Sequence, residues 1–248
     1  MQDLLALAHA AAALGLPPAT AANYSALAAA TGAAFQKAWG GADGASYPTQ
    51  CAAGMALALG ITPPASRAAA AAALLHDVRT RGNVTTSGEI GNRYALLALG
   101  DAGAEGVEAV WSSLQRTNAP GYGWMLTMGE TALAESWTDA PGDSHIHAMY
   151  GHIDEFLYKF VAGLRAVGEG GDAWRAVEIA PTLPAGCDWV RATFDSPRGL
   201  IAVAAERRGD GGRLAVNVTV PPGVDALYTN PRTGFARRVG AGTWAFFE

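Results

Sequence analysis

Residues 149–180 read MYGHIDEFLYKFVAGLRAVGEGGDAWRAVEIA, and the hydrophobic period changes within them. From 149 to 166 the apolar side chains return every three or four positions, the spacing of one helix face. Gly168-Glu-Gly-Gly171 reads as a linker, and 176–180 reads as a short strand. Upstream, the same helical spacing recurs in 2–15, 20–39, 48–59, 66–79, 90–100 and 103–116. Pro17-Pro18, Gly40-Gly41, Pro63-Pro64 and Gly100 punctuate these helices. Ser66 is placed to cap the Ala run that follows it, and Asp101 to cap the next helix. Consecutive helices joined by short turns pack as antiparallel pairs, which predicts about three helical hairpins. Downstream, 188–194, 199–205, 213–220, 225–229 and 242–247 join 176–180 as short Val-, Ile-, Phe- and Trp-rich runs separated by Gly, Pro and Asp. They predict a small antiparallel β-sandwich. The expected organisation is mostly α, then β: a helical domain over 1–167 and a β-sandwich over 172–248.

Composition supports a packed protein. Of 248 residues, half are apolar and 16% charged, which excludes a solvated disordered chain. The 54 Ala and 31 Gly lack a Gly-X-Y period, which excludes collagen and favours closely packed helices. A net charge of −5, with no Lys/Arg cluster, argues against a nucleic-acid partner. No apolar run reaches about twenty residues, so no membrane-spanning helix is expected. Residues 1–14 carry Asp3 and no Lys or Arg, so they read as a buried amphipathic helix rather than a signal peptide. The compartment, cytoplasmic or secreted, stays open. Cys51 and Cys187 form no CxxC and suggest neither a zinc site nor a disulfide framework, although one long-range disulfide stays open.

Residues 119–160 gather Tyr122, Trp124, Glu135, Trp137, Asp139, Asp143, His145, His147, Tyr150 and His152. Sugars present apolar C–H faces ringed by hydroxyls, and proteins bind them with flat aromatic platforms and convergent polar groups. Each residue also has a plain structural reading: Glu135 as a solvated carboxylate, Trp124 and Trp137 as core. His145 and His147 would share one face of a strand as a metal pair, but no HExxH or CxxC supplies a further ligand. No metal or cofactor is expected. Asp154 and Glu155 suit the first turn of a helix, and Asp195-Ser-Pro-Arg-Gly199 is turn chemistry.

These motifs carry a resemblance. Gly129-Glu-Thr-Ala-Leu-Ala-Glu135-Ser-Trp137, then Ser144-His-Ile-His147, then the Gly151–Gly163 helix, resemble the bacterial-type α-L-rhamnosidases, six-hairpin glycosidases of glycoside hydrolase family 78. Tyr47-Pro-Thr-Gln50, Thr85-Thr-Ser-Gly88-Glu-Ile-Gly91, Pro120-Gly-Tyr-Gly-Trp124 and Ser196-Pro-Arg-Gly199 also resemble the family. The resemblance implies part of an (α/α)6 barrel, then a β-sandwich, and an inverting hydrolysis of terminal α-L-rhamnosides. Such hydrolysis uses two carboxyl groups about 6.5–9.5 Å apart, one protonating the leaving oxygen and one deprotonating water. It implies Glu135 as the general base and His147 as a wall of the rhamnose pocket, with Trp124, Trp137 and His145 as further substrate contacts. Ala134, Glu130, Ala132 and Ile146 depart from the family pattern and bear on pocket shape. Nothing in the chain resembles the family's Asp-Glu-Arg-rich acid motif. The expectation is therefore a C-terminal portion of a rhamnosidase. It would take a rhamnose-containing glycoside as substrate. It would need the other barrel half, or self-association through an exposed apolar face. The alternatives are another α/α-toroid carbohydrate enzyme, such as a lyase using Tyr122 or Tyr150, and a non-catalytic sugar-binding module.

Overall fold

The computed structural model describes residues 1–138, 140–168, 173–209 and 213–247. Two compact units divide the chain, Met1–Gly151 and His152–Glu248.

The first unit is helical: α1 (Gln2–Ala13), α2 (Pro18–Trp39), α3 (Gln50–Ala58), α4 (Arg67–Thr80), α5 (Glu89–Asp101), α6 (Ala104–Leu114) and α7 (Tyr122–Thr127). They pair in sequence as three hairpins, α1 with α2, α3 with α4 and α5 with α6; α3 also packs on α5 and α4 on α6. Most residues of α3 and α5 are buried, as befits helices covered on several sides. Thr49 starts α3 by accepting the Ala52 N–H on its hydroxyl at 3.1 Å. Gly54 makes the α3–α5 contact: a Cβ there would stand 2.7 Å from the Ala95 Cα. Two expected caps are not used. Ser66 lies in a 3₁₀ turn that runs straight into α4, and its hydroxyl donates instead to Asp43 O at 3.0 Å. Asp101 remains inside α5, and α6 starts after Gly103, whose φ of +90° suits glycine. α1 is a helix, but not a buried one. Only Ala8 and Ala11 are buried, whereas Leu5, Leu7 and the following Leu14 are exposed.

The helix expected over 149–166 is broken up. A 3₁₀ turn (Ala148–His152) leads into α8 (Ile153–Phe156), whose first turn holds Asp154 and Glu155, and then into a π-turn (Leu157–Val161). Gly163 ends the run at φ +72°, where its carbonyl accepts the Ala180 N–H at 2.9 Å. Leu164–Val167 then leaves as strand β1. Of the expected linker 168–171, only Gly168 lies among the described residues.

The strands continue as β2 (Ala176–Ile179), β3 (Trp189–Ser196), β4 (Gly199–Arg208), β5 (Arg213–Val220), β6 (Asp225–Thr229), β7 (Ala236–Val239) and β8 (Gly242–Phe247). They form two sheets, β1-β2-β6-β7 and β3-β4-β5-β8. Pairing is antiparallel except between β2 and β6, because the chain builds β3, β4 and β5 in the other sheet before returning. Leu164, Ile179, Ile201, Val203, Val216, Val218, Tyr228 and Phe246 fill the core. Tyr228 and Phe246, one from each sheet, stack with centroids 3.8 Å apart. Cys51 and Cys187 are free thiols.

The close approach at Gly54 sets a testable cost. Gly54→Ala forces a methyl into the α5 backbone and should destabilise the chain by about 1–3 kcal/mol in urea unfolding. Gly240→Ala, where a Cβ meets nothing within 4 Å, should stay within about 0.5 kcal/mol of the parent.

Candidate active site

Residues 130–147 run between α7 and the 3₁₀ turn with no regular secondary structure among those described. Their shape comes from cross-links. The His147 N–H donates to Leu133 O at 2.7 Å. The Glu135 N–H donates to Ser144 O at 2.9 Å, and the Ser144 N–H donates back to Glu135 Oε2 at 2.8 Å. Glu135 is thus fixed through both its backbone and its carboxylate. Between these arms Asp143 closes a tighter turn, accepting from the Ser136 hydroxyl and, at 2.9 Å, from the Ala140 N–H. The Ser136 bond and then the Ala140 bond hold the Asp143 carboxyl below its ordinary range.

Beneath the loop lies an aromatic cluster. Met125, Ala134 and Tyr150 are buried, with Tyr122, Trp124, Leu133 and Trp137 packed against them. The Trp137 ring sits 4.0 Å from that of Tyr150 and meets Tyr122 edge-on at 5.1 Å. Its indole N–H donates to Ser87 O at 3.0 Å. The Tyr122 hydroxyl donates to Tyr150 O at 2.9 Å and accepts from Asn92 Nδ2 at 3.1 Å. Residues 85–92, at the start of α5, are thereby tied to the loop. That segment is held in turn by Gln50 of α3. Gln50 Oε1 takes the Thr86 N–H at 2.8 Å, while Nε2 donates to Asp77 Oδ2 and Val84 O. The Ser87 hydroxyl oxygen and Asn92 Oδ1 are buried with no hydrogen-bond partner among the described residues.

The two imidazoles are used differently. His147 Nε2 lies 2.9 Å from Glu89 Oε2, and both side chains are about one-third exposed. His145 is mostly exposed, with Nδ1 2.8 Å from Glu130 Oε1. Residues 145–147 form no strand, so the shared face that would make them a metal pair does not exist. Burial first, and the Glu89 charge second, push the Tyr150 hydroxyl up to about 12. A base role for Tyr150 is therefore unfavourable near neutral pH.

Of the residues singled out in the sequence, Glu135, Trp137, His145 and His147 share one loop, and Trp124 reaches the same cluster from α7. Asp139 lies outside the described residues. Glu89, Ser87 and Asn92 join them although the sequence assigned them no role. The signal for Ser87 and Glu89 was the Thr85–Gly91 motif itself, which is placed by Gln50 of the Tyr47–Gln50 motif; Asn92 follows that motif.

Comparison with known proteins gives one family for both units. Residues 1–161 match the bacterial alpha-L-rhamnosidase 6 hairpin glycosidase domain, and residues 163–242 the bacterial alpha-L-rhamnosidase C-terminal domain. An alpha-L-rhamnosidase of Streptomyces avermitilis is 29% identical over 203 residues, covering 78% of this chain and 19% of that protein. The crystal structure of Streptomyces avermitilis alpha-L-rhamnosidase with L-rhamnose is 25% identical. It has a TM-score of 0.83 over 97% of this chain and 25% of that one. Native alpha-L-rhamnosidase from Aspergillus terreus shares the fold at 23% identity and a TM-score of 0.86, over 97% of this chain and 28% of that one. The chain thus spans about a fifth of the curated relative's length and between a quarter and three-tenths of the solved structures.

Two experiments probe the loop. Trp137→Ala removes the ring contacts and the bond to Ser87 and should cost about 3–5 kcal/mol in denaturant unfolding; Trp137→Phe keeps a ring and should cost nearer 1 kcal/mol. The Asp143 turn is present above the ordinary aspartate range, about pH 4, and is lost as pH falls through the lowered carboxyl value. Amide exchange at Thr138, Ala140 and Asp143 should therefore rise, relative to the intrinsic rate, between pH 5 and pH 2.5, and Asp143→Asn should abolish that change.

Proposed function

The chain belongs to the bacterial α-L-rhamnosidase family, and from that premise we propose that it carries the water-activating side of an inverting α-L-rhamnosidase, with Glu135 as general base. The observation that carries this reading is the two-bond clamp between Glu135 and Ser144, in the loop whose Ala134 and Trp137 belong to the Tyr150 cluster. A base must be held within hydrogen-bond reach of the water it deprotonates. A loop without regular structure achieves this only by such cross-links.

In this reading a water attacks the anomeric carbon from the face opposite the leaving oxygen, and Glu135 takes its proton. The bond to the leaving oxygen breaks as a carboxylic acid protonates it, and β-L-rhamnose departs. His147 lines the sugar pocket, oriented by Glu89 at its Nε2. Trp124 and Trp137 contribute aromatic wall, His145 stands at the exposed rim, and the unpartnered Ser87 and Asn92 oxygens offer acceptors for sugar hydroxyls. None of the matching motifs supplies the acid, which this reading assigns to further hairpins of the barrel. The exposed Leu5, Leu7 and Leu14 offer apolar surface on which such hairpins would pack.

The 248-residue chain alone should therefore turn over an aryl α-L-rhamnoside far below the ordinary enzyme range of roughly 1–10³ per second. In the protein that joins these residues to the rest of the barrel, Glu135→Gln should lower kcat by about 10²-fold or more, with KM little changed. Azide, which needs no deprotonation, should restore turnover and give the β-rhamnosyl azide. A variant with near-normal kcat removes Glu135 as the base.

A further inference from the structure

The outer face of the β3-β4-β5-β8 sheet breaks the rule that the solvent side of an antiparallel sheet is polar. Strand register aligns Trp189, Glu206, Ala215 and Phe247 in one row across the four strands, and Arg191, Ala204, Asn217 and Ala245 in the next. Trp189 and Phe247, at the two ends of the first row, are each 60% exposed. Neither belongs to the core, which the alternate residues Val203, Ala205, Val216, Val218 and Phe246 fill from the same strands. Between the two rings, Ala204 and Ala215 keep the floor low. On the Trp189 side of these alanines lies a depression of about 290 Å³, edged by Trp189, Arg191, Glu206, Arg208 and Asn217.

Each ring carries a guanidinium. Arg191 lies 5.4 Å from the centroid of Trp189, and Arg213 lies 5.8 Å from that of Phe247. Arg208 pairs with Glu206 at 2.8 Å. Among the described residues of these strands, Arg191, Arg208 and Arg213 stand at this end of the face with Glu206, and the exposed Asp188 lies just before Trp189. Asp195 shares the face but lies at the far end of β3. Exposed flat rings, an amide and a carboxylate between them, and forked cations beside each ring suit a ligand with apolar ring faces, hydroxyls and an acid group. A polynucleotide would need more cations than these three to neutralise its phosphates, and no lysine lies in either row or among the depression's edges.

We propose that this face binds an acidic oligosaccharide, with sugar rings against Trp189 and Phe247 and a uronate carboxylate on Arg191. Four strands about 4.8 Å apart set the two rings at roughly 14 Å, a span for a short oligosaccharide rather than a monosaccharide. The site belongs to the His152–Glu248 unit, so it stands or falls independently of Glu135.

Isothermal titration of the full chain decides it, with trigalacturonate, the neutral trisaccharide maltotriose and a fifteen-residue oligothymidylate as probes. Trigalacturonate should bind with a Kd below about 1 mM, and at least tenfold more tightly than maltotriose. Trp189→Ala and Arg191→Gln should each weaken it tenfold or more, and Arg79→Ala, in an exposed pair of the helical unit, should not. Arg191→Gln, on an exposed side chain, keeps the test valid if the tryptophan variant melts early. Failure of trigalacturonate to bind overturns the proposal. So do equal binding of maltotriose, tighter binding of the oligonucleotide, and unchanged affinity in Arg191→Gln.

Discussion

The hydrogen bond from the Trp137 indole to Ser87 O is the tie on which the candidate site depends. It joins an irregular loop to the start of a buried helix. The loop that carries Glu135 is tied to that helix a second time by His147 and Glu89, and to the aromatic cluster by the Trp137 ring contacts. Glu135 thus stands at the end of a chain of contacts that begins in α3. Gln50 holds Thr86, the next residue Ser87 holds Trp137, and Trp137 packs on Tyr150 beneath Ala134. The two hydrogen bonds are part-buried and costly to leave unmade. Gly54 contributes by letting α3 and α5 approach until side-chain reach suffices.

The same logic explains why the site is assembled from motifs far apart in sequence. Tyr47–Gln50, Thr85–Gly91, Pro120–Trp124 and Gly129–Trp137 enter α3, α5, α7 and the loop respectively, yet Gln50 bonds Thr86, Ser87 bonds Trp137, and Trp137 meets Tyr122. Glu89 extends the chain to His147 and bears on Tyr150.

Much of this was legible in the sequence. Period and punctuation placed six of the helices to within a few residues and six of the strands nearly end to end, because each has a face that is buried or a break that is chemical. What failed has physical causes. Residues 149–166 keep helical spacing throughout, but Gly163 adopts a left-handed φ and hands the chain to a strand whose Leu164 belongs to the sheet core. β7 reads Ala-Arg-Arg-Val with three exposed residues, so it has no alternation to detect. Ser66 and Asp101 have cap chemistry but not cap geometry. In the candidate site, the motifs singled out Glu135, His147 and Trp137. The partnership of Glu89 with His147 was not, since no local spacing relates residues so far apart. Trp137 was anticipated as either platform or core, and its ring contacts show how fully it is engaged in packing.

The central claim is that Glu135 faces the sugar. The direct test is a crystal structure of the Glu135→Gln protein, with these residues joined to the rest of the barrel, bound to an intact rhamnoside. The account predicts the side chain at position 135 at ~3 Å from a water on the face of the anomeric carbon opposite the leaving oxygen, with His147 against the same sugar. A rhamnoside bound with position 135 turned away from it, or with a different carboxylate holding that water, would contradict the account.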